Sequence, residues 1–196
     1  MIEKCTVKIA DWLIGCDAVS ESDRELYEYA IYSIFLTISP LFLAVGIGFL
    51  FGAAWQSILI ILPFVVVRKF SGGYHAKKAS ICFASSSLLL VSCIILSLCI
   101  ECNFTLLIFA ALSAISLMHF SPLESENRVL SRTEQVYCKK ITTVIVACFV
   151  IVDLILFLFH MYSCVVCISI GLILSAALQY PCVIHNIVKL KKTKKD

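Results

Sequence analysis

Charged residues are scarce in this sequence, and that scarcity excludes an ordinary soluble domain. Only 15% of the 196 residues are charged and 61% are hydrophobic, against about 25% and about 45–50% in an average soluble domain. The mean hydropathy is +0.99. A chain of this length cannot bury so much apolar surface in a core, because small domains leave much of their surface exposed. Lipid tolerates that surface, so we predict one all-α membrane domain over residues 1–196.

Helices that cross a bilayer need about 20 mostly apolar residues, and the sequence contains six apolar runs that we assign as spans. They cover residues 30–52, 56–67, 79–100, 103–120, 141–160 and 163–182. The second run is short and contains Pro63, so a tilted, kinked or partly inserted helix is an alternative there. The predicted polytopic bundle spans residues 30–182, after an N-terminal segment at 1–29 and before a basic tail at 183–196.

Lysine and arginine are absent from three of the connections between these runs. All sixteen lie in four stretches: Lys4, Lys8 and Arg24; Arg68, Lys69, Lys77 and Lys78; Arg128, Arg132, Lys139 and Lys140; and Lys189, Lys191, Lys192, Lys194 and Lys195. With six spans, all four stretches fall on one side of the membrane, and basic loops favour the cytoplasm. The pattern predicts a multi-pass protein with both termini in the cytoplasm.

The N-terminal segment combines charge with an apolar helical face. That face is formed by Cys5, Ile9, Trp12, Leu13 and Cys16. The pattern predicts an amphipathic helix lying in the membrane interface, and a cytoplasmic helix packed on the loops is the alternative. Ser22 followed by Glu25 predicts a capping box for the next helix.

Small residues recur at four-residue steps in the first apolar run, at Ala44, Gly48 and Gly52. Such a spacing lets helix backbones approach closely in lipid. A dimer seam and a packing face inside the bundle fit this stripe equally well.

A secreted disulfide framework is one interpretation of the eleven cysteines, but their positions do not favour it. Most lie in apolar runs, among them Cys93, Cys99 and Cys148, where a free thiol behaves as a small hydrophobe. We interpret the pair Cys164 and Cys167 in the same way, as packing within an apolar helix. No His, Cys and carboxylate set has zinc spacing, so we predict neither a metal nor another cofactor.

The residues that carry chemistry lie between Arg68 and Cys82, where the chain enters the third apolar run. Gly72 and Gly73 provide backbone freedom just before His75. Cys82 lies in the first turns of the predicted helix, whose positive end favours a thiolate. A neighbouring imidazole is the usual means of activating such a thiol.

The spacing of His75 and Cys82 restricts how the two side chains can meet. Seven residues on one continuous helix separate them by about 10.5 Å along the axis, whereas a hydrogen bond needs about 3 Å between heavy atoms. Either the chain folds back near His75, or His75 reaches the cysteine of a second subunit.

An arginine, a glycine pair, a histidine and, seven residues later, a cysteine together resemble the signature of the AgrB family. These are the accessory gene regulator membrane peptidases of Gram-positive bacteria. Here the signature reads Arg68, Gly72, Gly73, His75 and Cys82. The resemblance covers nearly the whole chain, including its length, its amphipathic start and its six apolar segments.

The resemblance implies a cysteine endopeptidase of the bacterial cell membrane. Cys82 and His75 would be its catalytic pair, with Arg68, Gly72 and Gly73 in support. Its substrate would be a short AgrD-like pro-peptide, which loses an acidic C-terminal tail and is closed to a thiolactone or lactone signal for quorum sensing. The resemblance also favours a homodimer, and we predict no nucleic-acid partner. The basic loops could attract an acidic tail, or they serve topology alone.

A papain-like site has a third residue that orients the imidazole, and the candidates here lie in the second cytoplasmic loop. They are Glu124, Glu126 and Asn127, for which ordinary solvated loop polarity is the alternative. This loop departs from the family, in which Asn-Lys-Pro is common, because Asn127 is followed by Arg128 and Val129.

Asp153 lies within the fifth apolar run, where an ionisable group is costly and by default a functional candidate. We place it about twelve residues, or about 18 Å, past the cytoplasmic end of that run, too deep to join Cys82. A neutral acid bonded to a neighbouring helix is the structural interpretation. The functional interpretation of Asp153 supports the main alternative to an enzyme, which is a small membrane peptide exporter or channel component. A non-catalytic membrane scaffold is the third possibility.

Overall fold

The computed structural model describes residues 2–16, 18–71, 79–123 and 131–184. Every regular element in this part of the chain is a helix. They are α1 (Ile2–Gly15), α2 (Arg24–Leu50), α3 (Ala54–Ser71), α4 (Ala79–Cys99), α5 (Phe104–Phe120), α6 (Arg132–Leu158) and α7 (Tyr162–Ala177), with a single 3-10 turn at Glu21–Asp23. A short helical segment at 180–184 follows α7. The prediction of an all-α fold is confirmed.

The six apolar runs coincide with helices α2 to α7, and three of these are long and apolar enough to cross a membrane. The three are Ala54–Ser71, Arg132–Leu158 and Tyr162–Ile184. Apolar helical segments of 10–17 residues cover Ile38–Leu50, Phe83–Cys99 and Phe104–Phe120. A membrane protein is therefore supported, whereas the count of six spans and the side of the termini stay predictions.

Several boundaries differ from the sequence prediction, among them the end of α3 and the start of α6. α3 continues through the buried Pro63 and ends at Ser71, so it is 18 residues long and one of the three candidate spans. α6 begins at Arg132, well before residue 141. In both cases the helical backbone extends beyond the apolar run. Hydropathy locates the ends of the apolar run but not the ends of the helix.

α7 is the central helix of the bundle. It packs against α3, α4, α5 and α6, and the stretch Val165–Leu172 is buried on every side. Its closest approach is to α3, where a Cβ atom placed on Gly171 would lie 2.5 Å from Pro63 Cγ and 2.6 Å from the Ile60 carbonyl oxygen. Only glycine leaves room for the two helices at this point.

The small-residue stripe faces the inside of the bundle at two of its three positions. Ala44 is fully buried, and a Cβ on Gly48 would overlap the hydroxyl of Ser57 on α3. Gly52 lies in the turn after α2, with φ +68°. Ala44 and Gly48 therefore form a packing face between helices of one chain, and the dimer-seam interpretation is wrong for them.

α1 packs against the start of α2 and leaves the predicted apolar face largely uncovered. Thr6 and Ala10 are buried, whereas Trp12 is 66% exposed. Arg24 joins the two helices, with its Nη2 atom 2.7 Å from Asp11 Oδ1. The Nε atom of Arg24 lies 2.8 Å from Glu21 Oε1. Glu21 and Asp11 together raise the pKa of the Arg24 guanidinium. The interfacial location of α1 stays a prediction.

The predicted capping box at Ser22 and Glu25 is wrong. A 3-10 turn precedes α2 here, and the N-cap residue Asp23 makes no side-chain cap bond. A capping box that we did not predict lies instead at the start of α6. The Ser131 hydroxyl accepts from the Glu134 amide at 3.4 Å, and the Glu134 carboxylate accepts from the Ser131 amide at 2.8 Å.

Replacing Ser131 with alanine is expected to destabilise the protein by about 1 kcal/mol, because the hydroxyl that satisfies a free amide of the first turn is lost. The thermal midpoint of the full chain in detergent measures this. Thr133→Ala is the matched control, since Thr133 contacts the Ser131 hydroxyl at 3.1 Å without being part of the box. Equal midpoints for the two variants would contradict the prediction.

Candidate functional site

The structure describes only part of the predicted site. Arg68 lies in the last turn of α3, and the backbone of Cys82 lies in the first turn of α4, which begins at Ala79. His75, Gly72 and Gly73 lie outside the described residues, as do the third-residue candidates Glu124, Glu126 and Asn127. Cys82 lies in a helix, as predicted, while its place at the helix start and its pairing with His75 stay predictions.

Arg68 is held against an aromatic ring of its own helix. Its guanidinium carbon lies 5.6 Å from the centroid of the Phe64 ring, within the range of a cation–π contact. Lys69 makes a similar contact with Phe70, also at 5.6 Å. Two cations in the last turn also complement the negative end of the helix dipole. The end of α3 is thus a basic rim backed by aromatic rings.

A buried cluster of hydrogen bonds, which we call the polar junction, joins the ends of α3, α5 and α7. It consists of Ser71, Ser121, Leu123 and Gln179. The Gln179 side-chain amide donates to the Ser121 hydroxyl at 2.9 Å and to the Ser71 carbonyl at 3.5 Å. The Leu123 amide donates to the same carbonyl at 2.9 Å. Ser71, Ser121 and Gln179 are 1–3% exposed.

The polar junction gives buried polar groups partners from several helices. The Ser71 carbonyl accepts from two donors outside α3, the Leu123 amide and the Gln179 side chain. A buried polar group without a partner is costly, and Gln179 supplies a donor from α7's end. The Gln179 amide must point its nitrogen toward Ser71, because a carbonyl oxygen accepts only.

Gln179 was missed in the sequence analysis, although a signal was present. It is an amide inside the last apolar run, and polar side chains at such positions are functional or structural candidates. The junction also brings together Ser71, the last described residue of α3, and Ser121, the first residue after α5.

A cavity of about 410 Å³ lies at the opposite end of the bundle. Its lining includes Gln56 at the start of α3, Ser97 near the end of α4, and Tyr162 at the start of α7. The connection between α4 and α5 contributes Glu101 and Cys102. Burial raises the pKa of the Cys102 thiol, and the nearby charge of Asp153 raises it further. A thiol that is held protonated in this way is a poor nucleophile.

Asp153 lies close to that opposite end rather than midway along its helix. Because α6 begins at Arg132, Asp153 is 21 residues, or about 31 Å, from the helix start and about 7.5 Å from Leu158 at its end. It is 6% exposed and accepts a hydrogen bond of 2.7 Å from the Ser169 hydroxyl of α7. The predicted bond to a neighbouring helix is present, while the depth of Asp153 below the cytoplasmic end of the apolar run stays a prediction.

The cysteines of the described residues are free thiols, so the structure contains no disulfide among them. Cys167 is 1% exposed and belongs to the core around α7. Cys164, three residues earlier, is half-buried. This agrees with the interpretation of the pair as packing residues.

Comparison with known proteins adds a family to this geometry. The sequence model of the accessory gene regulator B family, AgrB, matches residues 3–180. Two curated proteins of Clostridium perfringens, one from strain 13 and one from strain SM101, are each 22% identical over 150 residues. Both are themselves named only by their likeness to AgrB.

These alignments cover 69% of this chain and 66%, just under two thirds, of each relative. No solved structure matches. The family model covers far more than half of the chain, including the last turn of α3, the first turn of α4 and the polar junction. This protein belongs to the accessory gene regulator B family.

Proposed function

We propose that this protein is a membrane cysteine endopeptidase that removes the C-terminal tail of an AgrD-like pro-peptide and closes the remainder into a thiolactone or lactone. The observation that supports this most directly is the family match together with the position of Cys82. Its backbone lies in the first turn of an apolar helix, and the motif residue Arg68 lies in the last turn of the preceding helix.

A helix start is a suitable place for a nucleophilic thiol. The first amides of α4 have no intrahelical acceptor, and their partial positive charge favours the thiolate over the thiol. His75 would take the thiol proton, since imidazole titrates near neutral pH. At Cys102, by contrast, burial and the nearby carboxyl of Asp153 raise the pKa of the thiol.

The reaction then proceeds in two acyl transfers. The Cys82 sulfur attacks the carbonyl carbon that precedes the tail, and the carbon–nitrogen bond breaks as His75 protonates the leaving amine. The tail departs with a new amino terminus, and the rest of the peptide stays bound as a thioester. A cysteine or serine of the substrate next attacks this thioester, its proton passes to the imidazole, and the ring closes as Cys82 is released.

Ring closure competes with hydrolysis of the thioester, so water must be kept from the site. The ends of α3 and α5 meet in a buried cluster, since Ser71 and Ser121 are buried and each accepts a hydrogen bond from Gln179. Half-buried Phe70 lies one residue before Ser71 and adds apolar surface there. We expect this arrangement to favour cyclisation over hydrolysis.

The basic rim of α3 is where an acidic substrate tail would be attracted. Arg68 and Lys69 both lie in the last turn of α3, and opposite charges at a membrane surface raise the local concentration of a substrate. A homodimer remains part of the proposal on the family resemblance alone. Its seam is not formed by Ala44 and Gly48, because both are buried within one chain.

Co-expression with a candidate AgrD-like peptide, followed by peptide mass spectrometry, tests the proposed function. Membranes that contain the wild-type protein should release a free acidic tail and a signal core that is lighter than the linear peptide by one water. Membranes that lack the protein are the control. An uncut peptide in both samples would refute the enzyme, and uncut peptide found outside the cells would favour the exporter.

The exporter alternative rests on Asp153, and one substitution at this residue distinguishes it from the enzyme. Asp153→Ala removes the bond to Ser169, and interhelical hydrogen bonds in membranes contribute about 0.6 kcal/mol on average and about 1.7 at most. We therefore expect a small loss of thermal stability and cleavage within about twofold of wild type. Ser169→Ala is the matched control, because it removes the same bond from α7. Loss of peptide release in Asp153→Ala alone would favour the exporter.

A further inference from the structure

Gln179 is a buried polar side chain to which the proposed reaction assigns no role. It is 2% exposed, and it belongs to no motif that the family signature contains. Its carbonyl oxygen Oε1 has no donor among the described residues, and a buried polar atom without a partner needs an explanation other than stability.

The two donors of the Gln179 amide bridge different helices. One hydrogen reaches Ser71, the last residue of α3, and the other reaches Ser121, the first residue after α5. The chain that follows Ser71 contains the motif histidine, and the chain that follows Ser121 contains the third-residue candidates. The Gln179 side chain thereby sets the distance between Ser71 and Ser121.

Gln179 itself is held firmly by its own backbone. Its amide donates to the Ala176 carbonyl at 2.9 Å, and its carbonyl accepts from the Cys182 and Val183 amides, each at 3.1 Å. It thus lies at the joint between α7 and the short helical segment 180–184. Since α7 is the central helix, the amide is anchored to an element that packs against α3, α4, α5 and α6.

We infer that Gln179 is a positioning residue for the peptidase reaction: it fixes the end of α3, the element that precedes the motif histidine in the sequence, against the end of α5. This inference rests on the proposed function. It assigns Gln179 no contact with substrate, and it acts entirely through Ser71 and Ser121.

Gln179→Met tests the inference, because methionine keeps the length and volume of the side chain and removes both donors. The readout is tail cleavage by the full chain in membranes, measured over a range of pH. We expect a loss of about 100-fold at neutral pH, the order expected when catalytic groups move by about 1 Å. The loss should shrink as the pH rises through about 8.5, where a cysteine ionises without help from an imidazole.

The shape of the pH profile separates positioning from stability. A smaller folded fraction lowers the rate by the same factor at every pH, whereas a displaced imidazole changes the profile. Ser175→Ala is the matched control, because its buried hydroxyl bonds only to the Gly171 carbonyl of the same helix in the described structure. It should leave both the rate and the profile within about twofold of wild type.

Ser121→Ala provides a second variant in case Gln179→Met folds poorly. It removes one of the two acceptors with a smaller change in volume, and we expect the same change in profile with a smaller loss. Because the two residues are in contact, the double variant should be no worse than Gln179→Met alone.

Three results would overturn the inference: a Gln179→Met rate equal to that of Ser175→Ala, a profile parallel to wild type, or additive losses with Ser121→Ala. Each leaves the proposed function intact as long as Cys82→Ala is inactive. Wild-type membranes that do not cleave, or a Cys82→Ala variant that does, would instead refute the proposed function and the inference with it.

Discussion

Replacing Cys82 with alanine is expected to abolish tail cleavage, and replacing His75 with alanine to reduce it by about 10²–10⁴-fold. The first variant has no nucleophile, so no thioester can form and no cyclic product can follow. The second retains the thiol at the start of α4 but loses the general base, whose contribution in enzymes is typically of that order.

The two variants should also differ in their response to pH. Without His75, activity depends on spontaneous ionisation of the thiol, so it should recover in part as the pH approaches about 8.5. Cys82→Ala should stay inactive at every pH. Peptide mass spectrometry of the released tail measures both.

Cys148→Ala is the matched control for the cysteine variant. Cys148 is an exposed free thiol in the middle of α6, so its loss tests whether removing any one of eleven cysteines impairs the protein. We expect wild-type cleavage from it. Persistent cleavage in Cys82→Ala would show that another group is the nucleophile and that the catalytic assignment is wrong.

Gly171→Ala is expected to destabilise the protein by about 1–3 kcal/mol, the usual cost of overpacking a core. The added Cβ would lie 2.6 Å from the backbone oxygen of Ile60 and 2.5 Å from a ring carbon of Pro63. Neither atom belongs to a flexible side chain, so α3 and α7 must move apart. The thermal midpoint and the yield of the full chain in detergent report the change.

Gly46→Ala is its matched control and should change stability in the opposite direction. A Cβ at Gly46 meets nothing within 4 Å, and alanine is favoured over glycine within a helix by about 0.5–1 kcal/mol. A midpoint for Gly171→Ala at or above that of Gly46→Ala would contradict the close approach of α3 and α7.

Gly171→Ala should also lower cleavage more than its loss of folded protein explains. Movement of α3 away from α7 lengthens the bond between Ser71 and Gln179, which is already 3.5 Å. We therefore expect tail cleavage to fall, as for Gln179→Met, and its pH profile to change. This links the packing of the bundle core to the proposed chemistry at its end.

The location of the helices was determined by the sequence to a large extent. Apolar runs that must satisfy their backbone groups internally become helices in lipid, and α2 to α7 lie where those runs predicted. The family was also evident from Arg68, Gly72, Gly73, His75 and Cys82, because chemistry depends on residue types at given spacings. Helix caps, the end of α3 and the start of α6 were missed, since polar residues continue a helix as readily as they end it.

Only the tertiary structure decided which faces of these helices meet. It placed α7 at the centre, turned Ala44 and Gly48 inward, and brought Ser71, Ser121 and Gln179 together across more than 100 residues of sequence. The physical reason is that lipid-facing and core-facing side chains are both apolar in a membrane protein. Hydropathy therefore predicts that a segment is a helix in lipid, while shape and a few buried hydrogen bonds determine its neighbours.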